Sequence, residues 1–144
     1  MKVRPSALII ENNHVLLLRY NYSGNDVFAL PGGNPDPGET LPQVIERELS
    51  EELGIETEVG EMLMVGEVLS SPVKSVKGDV LHCIFRAQIV GGIPIINPAQ
   101  TTALEIVWQP IAALPHLNLY PNIGSCIASM TGGYVGKIDQ PFFG

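Results

Sequence analysis

The sequence predicts an α/β layered domain. Short apolar runs of strand length recur along the chain, and one stretch, residues 40–53, repeats its apolar residues with helical period. With 144 residues and 45% hydrophobic content, the chain suits one domain around one sizeable core. Residues 1–144 therefore read as a single domain, with a tail, residues 131–144, that packs on the body or on a partner.

The elements follow in order. "SALIIENNHVLLLRY" reads as a hairpin, two apolar runs around a polar turn at residues 11–13. "NYSGND" reads as a turn or loop, and "VFALP" as a short strand that runs into Gly32 and Gly33. Residues 40–53 read as a helix. Thr40 is its N-cap with Gln43 three residues on, Pro42 falls in the tolerant first turn, and Gly54 stops it. "IETEVGEMLMVGEVL" and "DVLHCIFRAQIV" are strands around a loop at residues 70–78. "EIVWQPI" is a strand entering a short helix at residues 111–114, and "YPNIGSCIASM" is a closing helix.

The formal net charge of −7 is concentrated in one place. Residues 39–67 hold nine Glu against one Arg, a local balance of −8, and the remainder of the chain stands at +1. A nucleic-acid-binding face needs clustered Lys and Arg, so a polymer partner is not expected. A local cation site is. No apolar run approaches the ~18 residues of a spanning helix, and the N-terminus does not read as a signal peptide. Cys83 and Cys126 lack CxxC spacing and read as reduced core thiols. The expected setting is the cytoplasm, away from membranes.

On a wheel of about 100° per residue, Ile45, Leu49 and Leu53 form the core seam of the predicted helix. Glu48 and Glu52 lie directly beside that seam, with Glu51 next to them. Glu46, Gln43 and Ser50 face outward, so Glu46 is a solvated charge. Like charges four residues apart repel, and more strongly when partly desolvated. Arg47 can pair with Glu51 to offset this, or a divalent cation can bind the three carboxylates at once. Hard oxygen donors without neighbouring His or Cys point to Mg²⁺ or Mn²⁺. Gly32 and Gly33 let the backbone approach closely or turn sharply, and Glu39 can reach back to orient Arg47.

Gly33, Glu39, Arg47, Glu48, Leu49, Glu51, Glu52, Gly54 and Ile55 fill the pattern Gly-x5-Glu-x7-Arg-Glu-apolar-x-Glu-Glu-x-Gly-apolar. This pattern resembles the Nudix box of MutT-like hydrolases, and nine fixed positions across 23 residues make a specific signal. "LLLR", "ALPGG" and "EIVWQPIAALP" resemble segments of the same family, so the likeness covers most of residues 4–121. It implies a Nudix-type α/β/α sandwich with a mixed β-sheet. It also implies Mg²⁺-dependent hydrolysis of a nucleoside diphosphate linked to another group. By matching position, Glu48, Glu51 and Glu52 would ligate metal, with the Gly32 carbonyl as a further ligand. Glu48 is also a candidate base, and Arg47 and Glu39 would orient the glutamates.

Glu105 is either a further metal ligand or base, as in parts of the family, or a strand-edge charge. Arg4, Arg19 and Arg86 could touch phosphate, though a surface or paired arginine is the commoner case. Phe28 and Tyr22 could stack on a base, with core packing preferred for Phe28. His14, His82 and His116 read as structural or surface residues. Pro72 lies 17 positions after Ile55, as in ADP-ribose-cleaving members, and tilts the substrate toward ADP-ribose or a similar nucleotide sugar. The alternatives are a house-cleaning nucleoside triphosphate pyrophosphatase and a non-catalytic nucleotide-sensing module. Specificity is expected in the loops at residues 20–27 and 70–79. The family likeness also leaves room for a homodimer made by strand or tail exchange.

Overall fold

The computed structural model describes residues 1–70 and 78–142. Nine strands and two α-helices appear among them: β1 (Lys2–Leu8), β2 (Ile10–Glu11), β3 (His14–Tyr22), β4 (Asn25–Ala29), α1 (Leu41–Leu53), β5 (Glu56–Val68), β6 (Val80–Gly91), β7 (Glu105–Pro110), β8 (Leu119–Tyr120), α2 (Gly124–Ala128) and β9 (Gly133–Lys137). A 3-10 helix, Ile111–His116, lies between β7 and β8.

The strands form two sheets where one was expected. The first has the order β1-β6-β5-β9, with β1 parallel to β6, β5 antiparallel to β6 and β9 parallel to β5. The second has the order β2-β3-β4-β8, with β7 on the other side of β3. The expected hairpin is therefore split. Only Ile10 and Glu11 pair with β3, through a turn in which Asn12 and Asn13 take left-handed φ of 50° and 60°. The preceding run leaves for the first sheet as β1. "NYSGND" is shorter as a loop than it reads, because Tyr22 pairs with Asn25 across a two-residue turn of Ser23 and Gly24.

The strands bury both faces, which is why their sequences read as continuous apolar runs. Ala7, Ile9, Leu16 and Leu18 meet Ile45, Leu49 and Leu53 of α1. The alternate residues Leu8, Val15 and Leu17 meet Leu114, Ile123 and Ile127 near the 3-10 helix and α2. The layers are thus helix, sheets, helix, an α/β/α arrangement. The expected closing helix is only five residues long, and the tail contributes β9 and the buried Ile138 to the body.

Helix α1 forms as its sequence dictates. The Gln43 amide donates to the Thr40 hydroxyl at 3.3 Å, and the Thr40 amide donates to the Gln43 side chain at 2.9 Å. Gly54 ends the helix in the left-handed region at φ 66°. Ile45, Leu49 and Leu53 are fully buried, which fixes the rotation of the helix and so the direction of every glutamate on it.

Candidate active site

After β4 the chain is pinned against β1. The Ala7 amide donates to the Pro31 carbonyl at 2.8 Å, and the Gly33 amide donates to the Pro5 carbonyl at 3.3 Å. A side chain at Gly32 would collide with the Pro5 carbonyl and Ser6. One at Gly33 would collide with the Glu48 carboxylate. Both glycines are therefore required by close approach and not by turn geometry. Gly33 is also the point where the loop meets the helix that carries the charge.

Arg47 organises that loop. Its Nε donates to Glu39 Oε2 at 2.8 Å and its Nη2 to Glu39 Oε1 at 3.0 Å, a two-pronged contact. Nη2 also reaches the Asn34 carbonyl at 3.1 Å, while Nη1 reaches Glu48 Oε1 at 3.0 Å and Glu51 Oε2 at 3.4 Å. The guanidinium holds the Glu39 carboxyl below the usual carboxylate range, helped by the Asp36 amide that donates to Glu39 at 2.8 Å. The i, i+4 pairing of Arg47 with Glu51 and the reach of Glu39 to Arg47 thus both occur.

Glu52 lies apart from this network and half-buried. Burial pushes its carboxyl up from 4.5 to about 7, the negative charges of Glu48 and Glu51 add to the rise, and Arg4 opposes it. Arg4 and Glu52 are therefore close enough to feel each other, although one lies in β1 and the other in the last turn of α1.

Beside them opens a cleft of about 450 Å³, walled by Arg4, Tyr20, Tyr22, Val27, His82 and Tyr120 and closed on one side by Gln140 and Pro141. Tyr20 stacks on Tyr22 with ring centres 6.1 Å apart. The Arg4 guanidinium lies 5.0 Å from the centre of the Tyr120 ring, and His82 meets the same ring edge-on at 5.1 Å. Burial drives the His82 imidazole down to about 3, so it is neutral. Neither of its nitrogens has a hydrogen-bond partner, nor does Arg4 Nη1.

The remaining expected site residues lie as follows. Arg19 is not directed at the cleft; it donates to Glu105 Oε1 at 2.7 Å and to Asp26 Oδ1 at 3.1 Å. Glu105 sits opposite Arg19 in the β3–β7 register, so the fold joins two residues to which the sequence gives separate roles. Phe28 packs on the core beside Leu17 and Leu119, on the face of β4 opposite Val27 and Ala29. Pro72 lies outside the described residues. His82, Tyr120 and Gln140 are cleft residues that sequence reasoning missed. For His82 the signal was a histidine within the apolar strand "VLHCIF", on the same face as Val80.

The model of the NUDIX domain matches residues 1–130. The chain belongs to the Nudix family. It is 35% identical over 91 residues to the ADP-ribose pyrophosphatase of Methanocaldococcus jannaschii, covering 62% of this chain and 52% of that protein. It is 35% identical over 79 residues to the CTP pyrophosphohydrolase of Escherichia coli strain K12, covering 53% and 54%. The chain thus spans about half the length of these curated relatives. The MutT mutator protein of Bacillus halodurans shares the Nudix fold with a TM-score of 0.72 at 17% identity, over 100% of this chain and 94% of that one. Among the described residues, no helix is long and apolar enough to cross a membrane.

Nudix hydrolases use divalent metal ions, and the acidic edge of α1 fits such an ion by its chemistry. It offers only hard oxygen donors, and burial together with the charges of Glu48 and Glu51 raises the Glu52 carboxyl to about 7, a cost that a cation there would relieve. Among the described residues, however, no three acidic, His or Cys side chains already converge as a finished metal cage. Glu48 and Glu51 instead meet Arg47, at 3.0 and 3.4 Å.

Proposed function

We propose that this chain hydrolyses the diphosphate linkage of a nucleoside diphosphate derivative, with ADP-ribose or a similar nucleotide sugar as its substrate and Mg²⁺ (or Mn²⁺) as its cofactor. The observation that carries this is the meeting of Gly33 with Glu48 beside the Arg47–Glu39 pair, next to a cleft walled by Arg4, His82 and the stacked Tyr20 and Tyr22. The likeness to the M. jannaschii ADP-ribose pyrophosphatase supports the choice of substrate.

Glu48, Glu51 and Glu52 would hold the ion, with the Gly32 carbonyl. Bound there, a divalent ion neutralises the diphosphate and acidifies water. The protein's own residues do the rest. Glu39 and Arg47 hold Glu48 in place, and Glu48 takes the proton of the attacking water. Water oxygen bonds to one phosphorus as its bond to the bridging oxygen breaks. The products are a nucleoside monophosphate and a phosphorylated remainder. The cleft holds the nucleoside between aromatic walls.

The protein incubated with ADP-ribose and Mg²⁺ in ¹⁸O-water should give AMP and ribose 5-phosphate, one of them labelled, and EDTA should stop the reaction. Absence of both products at saturating Mg²⁺ would exclude ADP-ribose. The E. coli likeness favours a second reading, nucleoside triphosphate hydrolysis, which would release pyrophosphate from CTP instead.

A further inference from the structure

We infer that Gln140, carried into the cleft by the C-terminal tail, accepts a hydrogen bond from the exocyclic amino group of a base, so that the cleft prefers 6-aminopurine to 6-oxopurine nucleotides. This rests on the proposed reading of the cleft as a nucleotide site.

The family match ends at residue 130, yet the chain beyond it is built into the body. Strand β9 extends the first sheet along β5, the Ile138 amide donates to the Glu67 carbonyl at 2.7 Å, and Ile138 enters the core. Farther on, the tail is fastened to the other sheet. The Phe142 amide donates to Asn118 Oδ1 at 2.7 Å, and Asn118 Nδ2 donates to the carbonyls of Phe142 and Asp26. Gln140 and Pro141 lie between these two fastenings, and both line the cleft.

The Gln140 amide has a defined orientation. Its Nε2 donates to the Leu69 carbonyl at 3.3 Å. A carbonyl can receive only the NH₂ side of an amide, so Oε1 must face away from Leu69. Among the described residues, Oε1 has no hydrogen-bond partner of its own. Arg4, in β1 of the first sheet, brings only donors, and its Nη2 is engaged by the Leu30 carbonyl at 3.3 Å. The cleft therefore presents an oriented acceptor at Gln140 Oε1. Adenine matches it, with the 6-amino N–H facing the amide oxygen. Hypoxanthine, which carries O6 in place of the amino group, would set oxygen against oxygen.

The test compares AMP with IMP, which differ at that one substituent, by calorimetric titration. The wild-type chain should bind AMP about tenfold more tightly than IMP, the range of one hydrogen bond made against one refused. Gln140→Leu should bring the two within about twofold, mainly by weakening AMP. Equal affinity in the wild type, tighter binding of IMP, no binding of either nucleotide, or a preference that survives Gln140→Leu would each overturn the inference. Thermal unfolding of the variant checks that the tail still docks. Binding needs no turnover, so a chain that prefers AMP but fails to cleave ADP-ribose would exclude ADP-ribose as its substrate and leave this inference standing.

Discussion

Replacing Gly33 by alanine should separate catalysis from folding. Gly33 does not occupy the left-handed region, so alanine can adopt its backbone without strain. The added carbon would nonetheless overlap Cγ, Cδ and Oε1 of Glu48. The loop cannot yield easily, because the Gly33 amide is bonded to the Pro5 carbonyl and Gly32 is wedged against Ser6. The glutamate must move instead, away from its 3.0 Å contact with Arg47. Restoring ordinary contact requires a displacement on the order of 1 Å, which at a reacting centre costs roughly 100-fold in rate. That corresponds to about 2.7 kcal/mol of barrier. Stability should fall by about 1 kcal/mol or less, since the end of a side chain can give way. Gly38→Ala is the control. Its φ of 85° strains any other residue, yet nothing lies within contact of the added carbon. It should cost about 1 kcal/mol of stability and leave turnover unchanged. AMP formation from ADP-ribose and thermal unfolding, measured on both variants, give the comparison. A Gly33→Ala enzyme with wild-type kcat would show that Glu48 does not need its place against the loop.

Further outcomes follow from the same geometry. Arg47→Lys keeps the charge but loses the two-pronged hold on Glu39, and kcat should fall at least about tenfold, since an ammonium cannot reproduce the fork; an unchanged kcat would deny Arg47 its positioning role. The Glu52 carboxyl sits at about 7 when folded against 4.5 when free, so the folded chain binds more protons than the unfolded one between these values. Metal-free stability should therefore decline as pH rises from 4.5 to about 7, and Mg²⁺ binding near pH 6 should release close to one proton, measurable by calorimetry in buffers of different ionisation enthalpy. Glu105→Gln should leave the Mg²⁺ requirement unchanged, because Glu105 is engaged by Arg19; a markedly higher requirement would make it a ligand. Thr40→Ala removes one half of the capping box and should cost about 1 kcal/mol in thermal or urea unfolding.

Local rules made the helix and its neighbours legible. Thr40, Gln43 and Gly54 mark its ends, and the Ile45–Leu49–Leu53 seam fixes which glutamates stand at the packed edge. The division of the strands between two sheets was not legible. It depends on β1 leaving β3 to lie parallel to β6, a pairing between residues about eighty positions apart that no local pattern announces. The cleft was hidden for the same reason. His82, Tyr120 and Gln140 come from separate elements, and only the tertiary fold sets them around Arg4. Whether the tail packs on the body or on a partner was not legible either, because β9 is rich in glycine and gains its order from pairing with β5. Arg19 and Glu105 show the converse case. Each invites a role alone, and cross-strand register gives them to each other.

Turnover by the Glu48→Gln and Glu52→Gln variants tests the central claim most directly. Each substitution preserves size and removes one carboxylate from the edge of α1. With ADP-ribose at saturating Mg²⁺, and folding verified by thermal unfolding, both should lose at least about 100-fold in kcat, as expected when a group that stabilises the transition state is removed. Wild-type turnover in either folded variant would contradict the role assigned to that residue, and in both would refute the metal-dependent mechanism on this helix.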